Sequence, residues 1–153
     1  MTAEPTSNVY QPLVDEIVGG RRNVFLTGRA GTGKTTLLRQ LIFNSLEKAV
    51  VLAPTGLAAV NVGGQTIHSF FNFPPRLLDA GDARKIRNQR LVKAIETMVI
   101  DEVSMVRADM MQAIDNSLRL NRGNRQPFGG VRMILSGDLH QLPPVVGADV
   151  EHI

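Results

Sequence analysis

Between Gly28 and Thr35 the chain reads Gly-Arg-Ala-Gly-Thr-Gly-Lys-Thr, the spacing of a phosphate-binding loop. Glycines at these positions let consecutive backbone N–H groups turn inward around an anion without Cβ clashes. A helix starting at Gly33 adds the positive end of its dipole. Lys34 is then set to reach the β- and γ-phosphates of a nucleoside triphosphate, and the Thr35 hydroxyl to ligate Mg²⁺. The expected nucleotide contacts are Gly28, Ala30, Gly31, Thr32, Gly33, Lys34, Thr35 and Thr36.

Holding phosphate is not hydrolysing it, which needs a metal anchor and a means of activating water. Met98-Val-Ile-Asp101-Glu102 offers both where an apolar run ends. Asp101 is expected to hold Mg²⁺ through a water molecule, and Glu102 to orient or deprotonate the attacking water. Further on, Ser136-Gly-Asp138-Leu-His-Gln141 follows another apolar run, which places Gln141 to contact the γ-phosphate. Lys34, Glu102 and Gln141 are thus the candidate catalytic residues, and Thr35 and Asp101 the candidate metal ligands.

Each of these segments needs a rigid element behind it, and the hydrophobic pattern supplies one. Val9–Val18 has apolar residues at helical spacing, closed by Gly19-Gly20. Asn23–Thr27 reads as a short strand before the glycine-rich turn. Lys34–Lys48 then puts Leu37, Leu38, Leu41, Ile42 and Leu46 on one helical stripe. Ala49–Ala53 is a second strand, followed by a short helix at Leu57–Val60. GGQTIHSFFNFPP reads as a loop with at most one helical turn, and the basic stretch to about Glu96 as helical. Met98–Asp101, Arg107–Leu120 and Val131–Ser136 read as strand, helix and strand. Strands that are apolar throughout and alternate with helices predict an α/β fold whose mainly parallel sheet is covered on both faces. In such sheets ligands bind beyond the carboxyl ends of the strands, where every candidate segment falls. Four strands make a small sheet, so the 153 residues are expected to form a single domain belonging to a longer protein.

Composition bounds the alternatives. The chain is 43% hydrophobic and 20% charged, ordinary globular values that argue against wholesale disorder. No cysteine is present, which excludes a disulfide scaffold, a thiol nucleophile and a Cys-based zinc site. His68, His140 and His152 lie too far apart to read as a metal cluster. Apolar runs are far shorter than the ~18 residues of a membrane span, and MTAEPTSN lacks the features of a secretory signal. An intracellular setting is expected, the cytoplasm if the source is bacterial. Thirteen of the seventeen basic residues are arginine, the side chain suited to forked contacts with phosphate. Arg76, Arg84, Lys85, Arg87, Arg90 and Lys93 crowd one segment, and Arg119, Arg122, Arg125 and Arg132 a second without an intervening acid. Such clusters are read either as a nucleic-acid footprint or as a solvated face.

Taken together, VFLTGRAGTGKTTLLR, VLAPTGLAAVNVGGQTIHSFF, VIDEVSMVRADM and LSGDLHQLPPV resemble the Pif/RecD-type DNA helicases of superfamily one, from about Gln11 to Val146. The phosphate loop and the Asp-Glu pair are common to many ATPases. APTGLAAVNVGGQTIHSFF, DEVSM, GDLHQLPPV and PFGG in this order are far more specific. The resemblance implies the first of two RecA-like P-loop motor domains, one that hydrolyses ATP with Mg²⁺ while stepping 5′-to-3′ along single-stranded DNA. Gln11 stands where the family keeps an adenine-recognising glutamine, although NVYQP departs from the usual surroundings. Pro54, Thr55 and Gly56 match a segment that touches the DNA backbone, and Thr66, His68, Ser69 and Phe71 match the next one. Hydroxyls of Thr66 and Ser69 can donate to phosphate, and His68 and Phe71 offer flat faces for base stacking. Phe70 and Phe73 are expected to serve as the loop's own core.

The family's second motor domain, with the arginine that stabilises transition-state charge, does not appear in this sequence. That arginine is worth ~10³–10⁵ in rate, so the chain alone is expected to bind ATP–Mg²⁺ weakly, to hydrolyse it slowly and not to unwind DNA. The alternative is a module that holds nucleotide or single-stranded DNA without catalysis; intact Lys34, Asp101 and Glu102 favour the enzyme. A clamp-loader type of ATPase has no counterpart for TIHSFF and QLPPV.

Overall fold

A computed structural model of the chain describes residues 10–140 apart from Ala30, and the side chains among them except those of residues 43–45. One sheet of five parallel strands runs through the described residues: β1 (Val24–Thr27), β2 (Ala49–Ala53), β3 (Gln65–Thr66), β4 (Thr97–Ile100) and β5 (Arg132–Gly137). Their order is β1-β5-β4-β2-β3. The helices are α1 (Gln11–Gly19), α2 (Lys34–Ser45), α3 (Gly56–Val62), α4 (Ile67–Phe71), α5 (Gln89–Ala94) and α6 (Ala108–Arg122).

Alternation along each strand sends neighbouring side chains to opposite faces. In β4, Met98 and Ile100 join a core with Phe71, Val92, Ile114 and Leu118, from the side of α4, α5 and α6. Val99 points the other way, into a core with Val14, Ile17, Leu37, Leu38 and Leu41 from α1 and α2. Central strands must therefore be apolar at every position, the pattern that marks them in the sequence. Each fully buried leucine, such as Leu38 or Leu41, contributes about 1.5–3 kcal/mol.

Helix α1 starts on Pro12 in its first turn, where a missing N–H costs nothing. Helix α6 buries Met110, Ala113, Ile114 and Leu118 on one stripe and stops at Gly123, whose φ of 60° suits glycine.

Two sequence expectations are corrected. The sheet has five strands rather than four, because Gln65–Thr66 pairs with the end of β2 in the register Leu52↔Gln65, Ala53↔Thr66; a two-residue strand is too short to show periodicity. Apart from a single 3-10 turn at Ala80–Asp82, the stretch from Arg76 is not helical until Gln89. Buried Asn121 of α6 accepts from Ile86 N at 2.8 Å and donates to the Arg84 carbonyl at 2.8 Å. Those bonds take backbone groups that a helix would use. Asp82, almost wholly buried, accepts from both nitrogens of the Arg76 fork and from Asp79 N. The Asp79 amide and the Arg76 guanidinium hold its carboxyl below the usual carboxylate range.

Candidate functional site

β5 lies between β1 and β4, so the carboxyl ends of these three strands open onto a common edge. There, a cavity of about 300 Å³ is lined by Gly31–Thr36 from the loop after β1, by Asp101 and Glu102 after β4, and by Gly137 and Asp138 after β5. Residues some 65 positions apart in the chain thus face one another.

At its first glycine the loop is wound too tightly for a side chain. A Cβ on Gly28 would stand 2.9 Å from Thr32 Oγ1, and Gly33, with φ of 86°, hands the chain directly into α2. Lys34 bridges the loop, its ammonium donating to the Gly28 and Arg29 carbonyls. Thr32 Oγ1 closes a further turn onto the Arg29 carbonyl at 2.7 Å. From outside, the Tyr10 hydroxyl donates to the Thr32 carbonyl at 2.9 Å. This tie straps the start of α1 to the loop.

Asp101 is only 5% exposed, yet makes no ion pair among the described residues. Its Oδ1 accepts from Glu102 N at 2.9 Å. Asp138 is 6% exposed, and its Oδ1 accepts from His140 N. Buried carboxylates without a countercharge call for a cation. Among the described residues no three acids or histidines converge to hold a metal by themselves. That donor set fits Mg²⁺, which binds one or two carboxylates and takes its remaining ligands from phosphate and water. Glu102 holds a left-handed backbone, φ 52° and ψ 43°, a strained conformation of a kind that clusters at functional sites.

Of the residues expected at this site, Gly31, Thr32, Gly33, Lys34, Thr35, Thr36, Asp101 and Glu102 line the cavity, and Gly28 meets it through its bond to Lys34. Gln11 does not: its amide donates to Asp15 Oδ1 at 2.8 Å on α1. Ala30 and Gln141 lie outside the described residues. Sequence reasoning passed over Tyr10 and Asp138. The second had a signal, an acid just past a buried strand, as at Asp101. The first had none, since its contact spans 22 residues.

The segments expected to touch DNA lie along the same sheet edge, at β2 and β3. Pro54, Thr55 and Gly56 follow β2, with Thr55 Oγ1 accepting from Ala58 N. Thr66 ends β3 and His68 and Ser69 follow it in α4, with Thr66 accepting from Ser69 N. His68 is half-buried; that burial, together with the nearby Arg107 charge, pushes its pKa below the ordinary 6.5. Phe71 is a correction. It is 1% exposed, lies edge-on to Phe70 at 4.8 Å and stacks on Phe73 at 5.1 Å, so it has no face to offer a base. Helical spacing turns position 71 inward with positions 67 and 70.

The second basic cluster is mostly consumed inside the fold. Arg119 pairs with Asp115 at 2.9 Å, and Arg122 donates to the Val92, Ile95 and Gly129 carbonyls. Arg132 donates to the Arg22 carbonyl, and burial pulls its pKa down. Arg122 and Arg132 line a cavity of about 700 Å³ at the amino ends of the strands. Although larger, it contains none of the phosphate-loop residues and neither of the acids after β4.

A family model described as PIF1-like helicase matches residues 2–152. The ATP-dependent DNA helicase PIF1 of Saccharomyces cerevisiae (strain YJM789) is 40% identical over 148 residues, covering 88% of this chain and 17% of that protein. RRM3 of Saccharomyces cerevisiae (strain S288c), also named an ATP-dependent DNA helicase, is 38% identical over 152 residues, 92% of this chain and 21% of that protein. Among solved structures, Pif1 helicase from Bacteroides in complex with ADP-AlF3 and single-stranded DNA superposes with a TM-score of 0.85 at 39% identity, covering 98% of this chain and 36% of that one. Pif1 from Candida albicans gives 0.81 at 35% identity, with the same coverage. The chain therefore spans only about a sixth to a fifth of the length of these two yeast relatives.

Proposed function

The chain belongs to the PIF1-like helicase family and has its RecA-like α/β fold, and from that premise we propose that residues 1–153 are a single nucleotide-binding motor domain of a 5′-to-3′ DNA helicase acting on single-stranded DNA. The observation that carries this reading is the single cavity shared by Lys34, Thr35, Asp101 and Glu102. Backbone amides of the loop bind the phosphates of ATP, and the Lys34 ammonium exchanges its two carbonyl partners for phosphate oxygens. Thr35 and Asp101 would hold Mg²⁺, which when bound neutralises charge on the β- and γ-phosphates. Glu102, beside Asp101 on the same wall, takes the proton of the attacking water. Gln141 contacts the γ-phosphate as the family pattern places it, and Gln11 reaches the adenine only by exchanging its bond to Asp15 for the base.

Single-stranded DNA crosses the β2–β3 part of the edge, where Pro54, Thr55, Gly56, Thr66, His68 and Ser69 meet its backbone and bases. The Bacteroides relative was solved with single-stranded DNA, which supports DNA as the partner. A second RecA-like domain in the same polypeptide supplies the charge-stabilising arginine. This chain by itself therefore binds ATP–Mg²⁺ weakly, hydrolyses it slowly and does not unwind duplexes.

The test is titration of the chain with a fluorescent ATP analogue, with and without Mg²⁺, alongside phosphate release with and without single-stranded DNA. Mg²⁺-dependent binding that disappears in Lys34→Ala, with slow hydrolysis, is the expected result. Binding unaffected by Lys34→Ala refutes the site. Mg²⁺-dependent binding with no hydrolysis over hours leaves the domain a binding module rather than a catalyst.

A further inference from the structure

Beside β3, at the opposite side of the sheet from β1, the segment between the loop at Arg76 and helix α5 forms one wall of a cleft of about 590 Å³, and α4 with the start of β3 forms the other. Ile86 is the anchor of the first wall. Its side chain is 8% exposed, its N–H is held by Asn121 Oδ1 at 2.8 Å, and its carbonyl accepts from Gln89 Nε2 at 2.6 Å. Lys85 and Arg87 flank it and are exposed. Both cations are thus exposed on the same pinned stretch, and neither makes an ion pair among the described residues. Asn88 uses its oxygen to cap α5 by accepting from Leu91 N at 3.0 Å, which leaves its amide hydrogens to face outward. Across the cleft stand Gln65 and the Ser69 hydroxyl.

The composition of this lining is selective. It holds two cations, an amide donor on each wall and a hydroxyl, but no acid. The cavity at the amino ends of the strands, by contrast, contains Glu47 and Glu96 among its arginines. The Phe70 edge and Leu91, 39% exposed, add an apolar strip between the polar groups. An anion that is polymeric and carries flat apolar groups between its charges suits such a surface, as a nucleic-acid strand does.

We propose that Lys85 and Arg87, with Asn88, form a second phosphate-binding wall that extends the single-stranded DNA path from Ser69 across this cleft. The inference rests on the reading of the β2–β3 edge as the DNA track, with Ser69 the residue common to both. Arg84 O and Ile86 N are tied to Asn121, so the two cations are presented without ordering a flexible loop on binding.

The experiment measures binding of a labelled oligothymidylate by fluorescence anisotropy across a salt series, for the chain and for its double variant Lys85→Gln/Arg87→Gln. Both positions are exposed, so the fold should persist, and an unchanged melting temperature checks it. Arg125→Gln, an exposed arginine that does not line the cleft, serves as the control. Each phosphate contact on a single strand contributes about 0.7 to the slope of log K against log salt. The double variant should lower that slope by roughly 1.4 and weaken binding on the order of tenfold at low salt, with affinity for the fluorescent ATP analogue unchanged. If the chain binds the oligonucleotide and the double variant matches it in slope and affinity, the second wall is refuted while the DNA track stands. If the chain itself does not bind the oligonucleotide, the track falls and takes the wall with it. A polyglutamate arm separates the remaining occupant: polyglutamate binding lost in the double variant, with DNA binding retained, assigns the cleft to an acidic peptide and overturns the proposal.

Discussion

Glu102→Gln removes one ionisable oxygen at the proposed water-activating position and little else. The local backbone is held by bonds that do not involve the side chain: Glu102 N donates to Asp101 Oδ1 at 2.9 Å, and Met105 N donates to the Glu102 carbonyl at 3.0 Å. Its carboxylate makes no hydrogen bond or ion pair among the described residues. Stability should therefore change by no more than about 0.5 kcal/mol. Affinity for ATP should hold or tighten, since a negative charge is lost beside an anionic ligand. Hydrolysis is a different matter, because a positioned general base contributes about 10²–10⁴ in rate. At 1.36 kcal/mol per factor of ten, that raises the barrier by roughly 3–5 kcal/mol. The assay is single-turnover phosphate release with protein in excess over ATP, paired with a nucleotide-binding titration on the same samples. Normal binding with hydrolysis slowed at least a hundredfold is the expected pair of results. Hydrolysis within a few-fold of the unsubstituted chain would refute the assignment and move water activation to another group, Asp138 being the next acid on the cavity wall.

Three further outcomes follow from the geometry. Tyr10→Phe keeps the ring but deletes the bond to the Thr32 carbonyl, a loss of about 0.5–1.5 kcal/mol. If the strap shapes the loop, calorimetry will show nucleotide affinity reduced, and unchanged affinity would make the tie incidental. Phe71→Ala should destabilise the fold by about 3–5 kcal/mol in urea unfolding, because it empties a fully buried ring site between Phe70 and Phe73; a loss below about 1 kcal/mol would restore Phe71 as a surface residue. His68 is held below its ordinary pKa of 6.5, chiefly by burial. The unfolded chain therefore binds the proton first as pH falls, and folded stability drops from about pH 6.5 downward through the folded pKa. His68→Asn should flatten the decline in melting temperature between pH 7 and pH 5.5, and an equally steep decline would show that the imidazole is not buried as described.

What could be read without coordinates was whatever depends on local order along the chain. The loop from Gly28 to Thr35 is legible because a phosphate cradle requires glycine, lysine and a hydroxyl at fixed offsets. The edges of β2 and the start of α2 are legible because strands buried on both faces and one-sided helices impose different periods on apolar residues, whereas the helix expected to reach Lys48 stops at Ser45. Asp101 and Glu102 stand out for the same reason, as charges ending a run that cannot tolerate them earlier. Phe71 and the arginines were not legible. A ring two residues from an exposed serine looks the same in sequence whether it faces a base or a core. An arginine shows its charge but not the carbonyls or carboxylates that will occupy it, as at Arg119, Arg122 and Arg76.

Long-range pairing decided the rest. Only the strand order brings the turn after β1 beside the acids after β4 and β5. Only a contact across 22 residues ties Tyr10 to the loop, and only the bonds from Asn121, 35 and 37 residues away, pin Ile86 and Arg84 beside the exposed Lys85 and Arg87. Amino-acid type and spacing thus determine which chemistry the chain carries, because backbone sterics and helix or strand period act over a few residues. Which groups meet, and which charges remain free to meet a ligand, is settled by packing and hydrogen-bond partners chosen from anywhere in the fold.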